Sequence, residues 1–137
     1  MSDILSIYNW LGSYPNWQDK HLVLEKLGTD PGDAGLFYEG LTVQGVNADI
    51  TGHRELACRY GFTLRTVMYQ LGESSQWLEE LERWVTEQTL AGATPVLGKC
   101  TEPCKIWAQK AALDRGRQTG TAVFTLKLTV EYTAQEY

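Results

Sequence analysis

Long apolar runs are missing from this sequence. No stretch of roughly eighteen apolar residues occurs in its 137 positions, which excludes a membrane-spanning helix. Positive charge is also sparse. Twelve Lys and Arg stand against seventeen Asp and Glu, giving a net charge of −5, and the two signs are interspersed. A sequence-independent grip on nucleic acid needs a dense basic surface, so the composition leaves room for a local basic patch only. Phosphate loops are absent as well. GTDPGDAG (28–35) has neither the spacing and lysine of a P-loop nor the Rossmann pattern, and no G-x-S-x-G nucleophile elbow occurs.

Cysteine is limited to Cys58, Cys100 and Cys104. The opening residues MSDILSIYNW lack a basic n-region and a small-residue cleavage site, which points to synthesis and retention in a cytoplasm. An odd cysteine count there argues for thiols rather than a disulfide framework. Cys100 and Cys104 with both His21 and His53 would make four zinc ligands, but the second close-set ligand pair of a structural zinc site is missing. The reading is a buried thiol at Cys58, two loop thiols, no metal and no cofactor.

What is present describes an ordinary globular chain. Hydrophobic residues make up 43% and charged residues 21%, and the length suits one domain with one core. Ser2 is placed to cap a helix over Asp3–Leu11, with Ile4, Ile7, Tyr8 and Leu11 on one face and Gly12 as its left-handed end. SYPNWQDK (13–20) reads as loop, HLVLEKL (21–27) as a short strand, and GTDPGDAG as turns. LFYE (36–39) and LTVQGVNADI (41–50) read as two strands, the second with a bulge at Gly45, and TGH (51–53) as a turn. From Arg54 to Gln70 the residues alternate. Leu56, Cys58, Tyr60, Phe62, Leu64, Thr66 and Met68 share one face, and the other face, with Arg59 and Arg65, is mixed.

Ser74 or Ser75 is placed to cap a long helix ended by Gly92. Trp77, Leu78, Leu81, Trp84, Val85 and Gln88 form its apolar stripe, and Glu79 precedes Arg83 by four residues on the wet face. A proline-bearing link follows, then KIWAQKAAL (105–113), which reads as a strand although its alanines leave a helix open. The last strand sets Ala122, Phe124, Leu126, Leu128, Val130 and Tyr132 inward, and Val123, Thr125, Lys127, Thr129 and Glu131 outward. This order predicts an α+β domain spanning 1–137: a single layer of mainly antiparallel mixed sheet with two main helices packed on one face.

No nucleophile, base and orienter assemble in the sequence. His53 with Asp49 is the one acid–base pair that suggests itself, in a stretch that reads as an exposed turn. Cys58 sits on an apolar strand face, which disfavours a reactive thiolate. Glu79, Glu80 and Glu82 read as a solvated helix face. The expectation is therefore no catalytic residue and no enzyme. Trp77 and Trp84 belong to the helix stripe. Trp10 falls off the first helix's stripe, and Trp17 and Trp107 lie in or beside loops, where large aromatics lean towards an interface, with a core role for some of them equally allowed.

The order of segments resembles a known family. An N-terminal helix closes on Trp10-Leu11 and is followed by YPNW. A strand, a glycine-proline loop and a central strand ending in FTLRTVMYQ come next, then SSQWLEELERWVTEQ, a PVLG link and DRGRQTGTAVFTLKLTVEY. The arrangement is similar to the small tail terminator proteins of long-tailed phages, often labelled minor capsid proteins in Firmicutes phages and prophages. The resemblance implies a structural virion protein at the head-proximal end of the tail, assembled in the host cytoplasm. It would cap the tail tube as a homo-hexameric ring, end tail elongation and offer a surface for head–tail joining. Its partners would be further copies of itself, the tail tube protein and a head-completion protein, with genome DNA only passing through the ring and no membrane involved. Neighbouring readings are another head–tail connector, or the cap of a contractile tail or tail-like bacteriocin. A third is a small ligand-binding domain or enzyme built on His53 and Asp49. A closed ring needs two complementary surfaces on each subunit, and Arg54, Arg59, Arg65, Arg115, Arg117 and Lys127 are the residues we place at a subunit or tube interface.

Overall fold

The structure is a computed structural model that describes residues 3–17, 20–25, 31–46, 53–67, 71–97, 103–114 and 121–135. Two helices and five strands follow one another as α1 (Asp3–Gly12), β1 (His21–Leu24), β2 (Asp33–Val46), β3 (His53–Val67), α2 (Leu71–Leu90), β4 (Lys105–Asp114) and β5 (Thr121–Gln135). The strands form one sheet in the order β1-β2-β3-β5-β4. Only the β1–β2 pair is parallel. Both helices lie against one face of this sheet, so the expected α+β architecture is the observed one.

β3 and β5 form the spine, paired without interruption from His53↔Gln135 to Val67↔Thr121. Their strict alternation fixes that register, because a slip of one residue would turn every apolar side chain to the wrong side. Cys58, Tyr60, Phe62, Leu64 and Thr66 from β3, and Ala122, Phe124, Leu126, Leu128 and Val130 from β5, are all buried beneath the helices. Ile7 and Leu11 of α1, and Leu78, Leu81 and Val85 of α2, close the core from above.

Aromatic side chains join the layers. Trp10 of α1 packs on Trp84 of α2, centroids 4.9 Å apart, and Tyr14 meets both Trp84 and Trp77. Trp17 contacts Trp77 and Phe62. Three of these indoles find a carbonyl: buried Trp10 donates to Ala93 at 3.0 Å, half-buried Trp17 to Leu11 at 3.0 Å and buried Trp77 to Asn16 at 2.7 Å. This satisfies the polar handle that would otherwise make such burial costly. Trp10 is thus a core residue and Trp17, half-buried, packs against the core, the alternative that their positions left open. Trp10 sits three residues after Ile7, on the flank of the α1 stripe that faces α2, and sequence spacing cannot show that a second helix stands there.

Several boundaries also differ from expectation. LFYE and LTVQGV (41–46) are one strand that begins at Asp33, kinked by register shifts at Tyr38/Gly40 and at the expected Val43/Gly45, and residues 47–50 lie outside the described residues. His53 belongs to β3 rather than to a turn. Gly12 does not adopt the left-handed conformation. α1 ends instead in short turns, Ser13 to Trp10 and Tyr14 to Leu11, and the Trp17 indole takes the Leu11 carbonyl. α2 starts at Leu71, so Ser74 lies inside it as a buried residue bonded to the Thr66 hydroxyl at 2.6 Å. At the other end Gly92 has φ +70, with Ala93 N–H bonded to Gln88 and Gly92 N–H to Thr89, the paired bonds of a glycine C-cap. Cys104 lies in the link just before β4, as expected of a loop thiol, and is buried there. Ser2, Cys100 and Asp49 lie outside the described residues.

Both sheet edges are held by a helix hydroxyl. Tyr8 of α1 donates to the Leu22 carbonyl of β1, and Thr89 of α2 bonds both backbone groups of Ile106 in β4. Edge strands left with unpaired backbone groups invite association, and these two contacts blunt that tendency.

Candidate functional site

The face of the sheet turned away from the helices carries no helix among the described residues. Register places its side chains in cross-strand rows. One row holds Gly40, Arg59, Thr129 and Trp107, and the next holds Phe37, Gly61, Lys127 and Gln109. Beyond them come Gly35, Thr63 and Thr125, then Arg65 beside Val123. At the opposite end Ala57, Glu131 and Lys105 form a row.

Three of the six residues predicted at an interface meet on this face. Arg59 and Lys127 are exposed and Arg65 is half-buried. Lys127 stands opposite Gly61, two residues along β3 from Arg59, so the two cations are near neighbours. Arg54 lies in β3, paired in register with Val46 and Ala134, and its side chain is outside what is described. Arg115 and Arg117 lie outside the described residues.

Glycine flattens the middle of the face. The Glu39 carboxylate lies where a side chain on Gly61 would stand, and the Arg59 guanidinium reaches 3.3 Å from the corresponding point on Gly40. Apolar surface is present too: Trp107 is 37% exposed and Phe37 half-buried. The Thr63 hydroxyl oxygen is shielded and has no hydrogen-bond partner among the described residues. Trp107 is the one tryptophan whose expected surface position holds.

The face assembles no nucleophile with a base. His53 stands at the β3 end paired with Gln135, and its expected partner Asp49 is outside the described residues. An open groove of ≈ 440 Å³ lies at the opposite end of the sheet, lined by Tyr8, Asn9, Gly12, Trp17, Lys20, His21 and Leu22. Its polar groups are turned to internal work: Tyr8 binds the Leu22 carbonyl, Trp17 the Leu11 carbonyl, and the Lys20 ammonium lies 4.8 Å over the Trp77 ring. Under α1 a third polar cluster joins Cys58 Sγ to the Tyr132 hydroxyl at 3.5 Å. Burial, then the nearby Cys58 and Asp3, pushes the Tyr60 phenol well above its usual range. Burial, then the Cys58 hydrogen bond, does the same to Tyr132. A phenol held this firmly neutral does not serve as a base.

Among the described residues no three His, Cys, Asp or Glu side chains are grouped to hold a metal ion, and no helix is long and apolar enough to cross a membrane. Comparison of the chain with protein-family models and with curated proteins finds no match.

Proposed function

We propose that this chain is a structural subunit of a phage tail, a terminator that caps the tail tube as a ring, stops its elongation and presents a surface for head–tail joining. The reading starts from the segment order that resembles that family. The observation that carries it is the division of the molecule into two unlike faces. One face of a five-stranded sheet is closed by helices, and the other is a broad, glycine-flattened surface bearing Arg59, Lys127, Arg65, Phe37 and Trp107. A heterologous ring needs two different surfaces on every subunit, and a closed layer with one bare side supplies them. On this reading the protein is not an enzyme and uses no cofactor. Its partners are copies of itself, the tube protein and a head-completion protein.

Native mass spectrometry and electron microscopy of the purified chain, alone and with tail tubes, test the proposal. The expected result is a six-membered ring seated at one tube end, with overlong tails when the chain is withheld during assembly. Binding to a head portal in place of the tube would reassign it to another connector. A monomer that ignores both would refute an assembly role.

A further inference from the structure

We infer that copies of this chain associate head to tail, the bare sheet face of one docking on the outer surface of α2 of the next. The closing of such contacts into a ring rests on the function proposed above; the contact itself rests on charge and spacing.

The chain carries a net charge of −5, so two copies repel unless their contact joins surfaces of opposite sign. α2 provides the acidic surface. Its residues include Glu73, Glu79, Glu80, Glu82 and Glu87 against a single cation, Arg83. Glu73, Glu79 and Glu87 are exposed, Glu80 and Glu82 half-buried. The same helix leaves Leu90 75% exposed, the barest large apolar side chain described, beside the acidic row. The sheet face offers the complement, with the cations Arg59, Lys127 and Arg65 along its centre and exposed Trp107 at its side.

Spacing agrees. Glu73, Glu80 and Glu87 recur every seventh residue, so they stay on one stripe, and at 1.5 Å per residue the row is about 21 Å long. Arg59 and Arg65 are six residues apart on β3, about 20 Å at the rise of a strand, with Lys127 between them. The acidic row and the cationic row therefore agree in overall length, with Arg59 and Lys127 exposed on one side and Glu73 and Glu87 on the other. Phosphate backbone fits this face less well, because Glu39, Glu131 and Asp33 are interleaved with its cations and a uniform anion would meet them. A helix with its own Arg83 set among glutamates meets a mixed face without that conflict.

Charge exchange on the full chain tests the contact. One variant carries Arg59→Glu with Lys127→Glu, a second carries Glu73→Lys with Glu87→Lys; all four side chains are exposed, and circular dichroism verifies the fold of each. Sedimentation velocity should show each variant self-associating roughly tenfold more weakly than the parent. An equimolar mixture should recover assembly, because its contacts then alternate between two reversed surfaces and two native ones, each pair opposite in sign. A quadruple variant should recover it too. Parent-like assembly by either double variant, or no recovery in both the mixture and the quadruple variant, overturns the inference. A parent chain that stays monomeric with or without tubes overturns both the inference and the ring function; one that associates into open chains and never closes at a tube end fails the ring function alone. A parent ring indifferent to the reversals removes this contact and leaves that function standing.

Discussion

The Thr89 hydroxyl donates to the Ile106 carbonyl at 2.6 Å and accepts from the Ile106 amide at 3.1 Å. One side chain near the end of α2 thus closes both outward backbone groups at one point on the β4 edge. Replacing it with valine keeps the shape but leaves a donor and an acceptor unpaired. We expect Thr89→Val to destabilise the fold by about 1–3 kcal/mol. Chemical denaturation measures the loss. Because an open edge recruits other strands, light scattering should also show more self-association.

Two glycines make opposite predictions. Gly92 sits at φ +70 with nothing within 4 Å of a methyl group placed there, so strain alone opposes a side chain. Gly92→Ala should cost about 1–2 kcal/mol, the penalty of a left-handed residue with a Cβ. Gly61 lies in ordinary strand conformation, and the nearest obstacle is the end of the flexible Glu39 side chain. Gly61→Ala should therefore be tolerated, with stability unchanged or raised by about 0.5 kcal/mol through a less flexible unfolded chain. Equal losses at the two sites in thermal melts would contradict this account.

Trp77 couples three parts of the fold through Tyr14, Trp17 and Phe62, and its indole binds the Asn16 carbonyl. Trp77→Ala should cost about 3–5 kcal/mol, as large aromatic truncations do. Urea titration followed by circular dichroism reads this directly. A loss below about 1 kcal/mol would mean the cluster is not central to stability.

Alkaline pH should unfold the protein through its buried phenols. The Tyr60 and Tyr132 values are raised from 10.0 in the folded chain, first by burial. A raised folded value means that the stabilisation is complete below about pH 10, the unfolded tyrosine value, and is lost as pH climbs from there towards the folded values. Stability measured from pH 8 to 12 should be level at first and fall above 10. Tyr60→Phe combined with Tyr132→Phe should flatten that fall, and an unchanged slope would assign the alkaline limb to other groups.

The parts legible in sequence are those with a strict local period. β5 reads directly from Ala122 to Val130, and the even positions of β3 identify its buried face, because alternation is a property of neighbouring residues. The Gly92 helix end is equally plain, since its signal lies within a few residues. The Ser74 cap fails for the opposite reason. Its serine has a better partner in Thr66, eight residues away and on another element. β2 reads as two strands because Gly40 and Gly45 interrupt its alternation, whereas pairing with β3 carries the chain through both irregularities.

The candidate site divides in the same way. Sequence alternation puts Arg59 and Arg65 on one side of β3 and Lys127 on the outer side of β5. It does not say that Gly61 stands opposite Lys127, because cross-strand register is set by the whole β3–β5 pairing. Nor does it say whether helices cover that side.

By itself, then, the sequence determined an α+β chain with an amphipathic helix and two long alternating strands, since each depends on residue type and local period. Only the tertiary structure decided that Trp10 is core and Trp17 packs against it, that hydroxyls from the helices bind both sheet edges, and that three cations share the face on which no described helix lies. Those outcomes depend on which distant segments meet, and what fixes them is the requirement that one continuous apolar surface be buried with its polar groups satisfied.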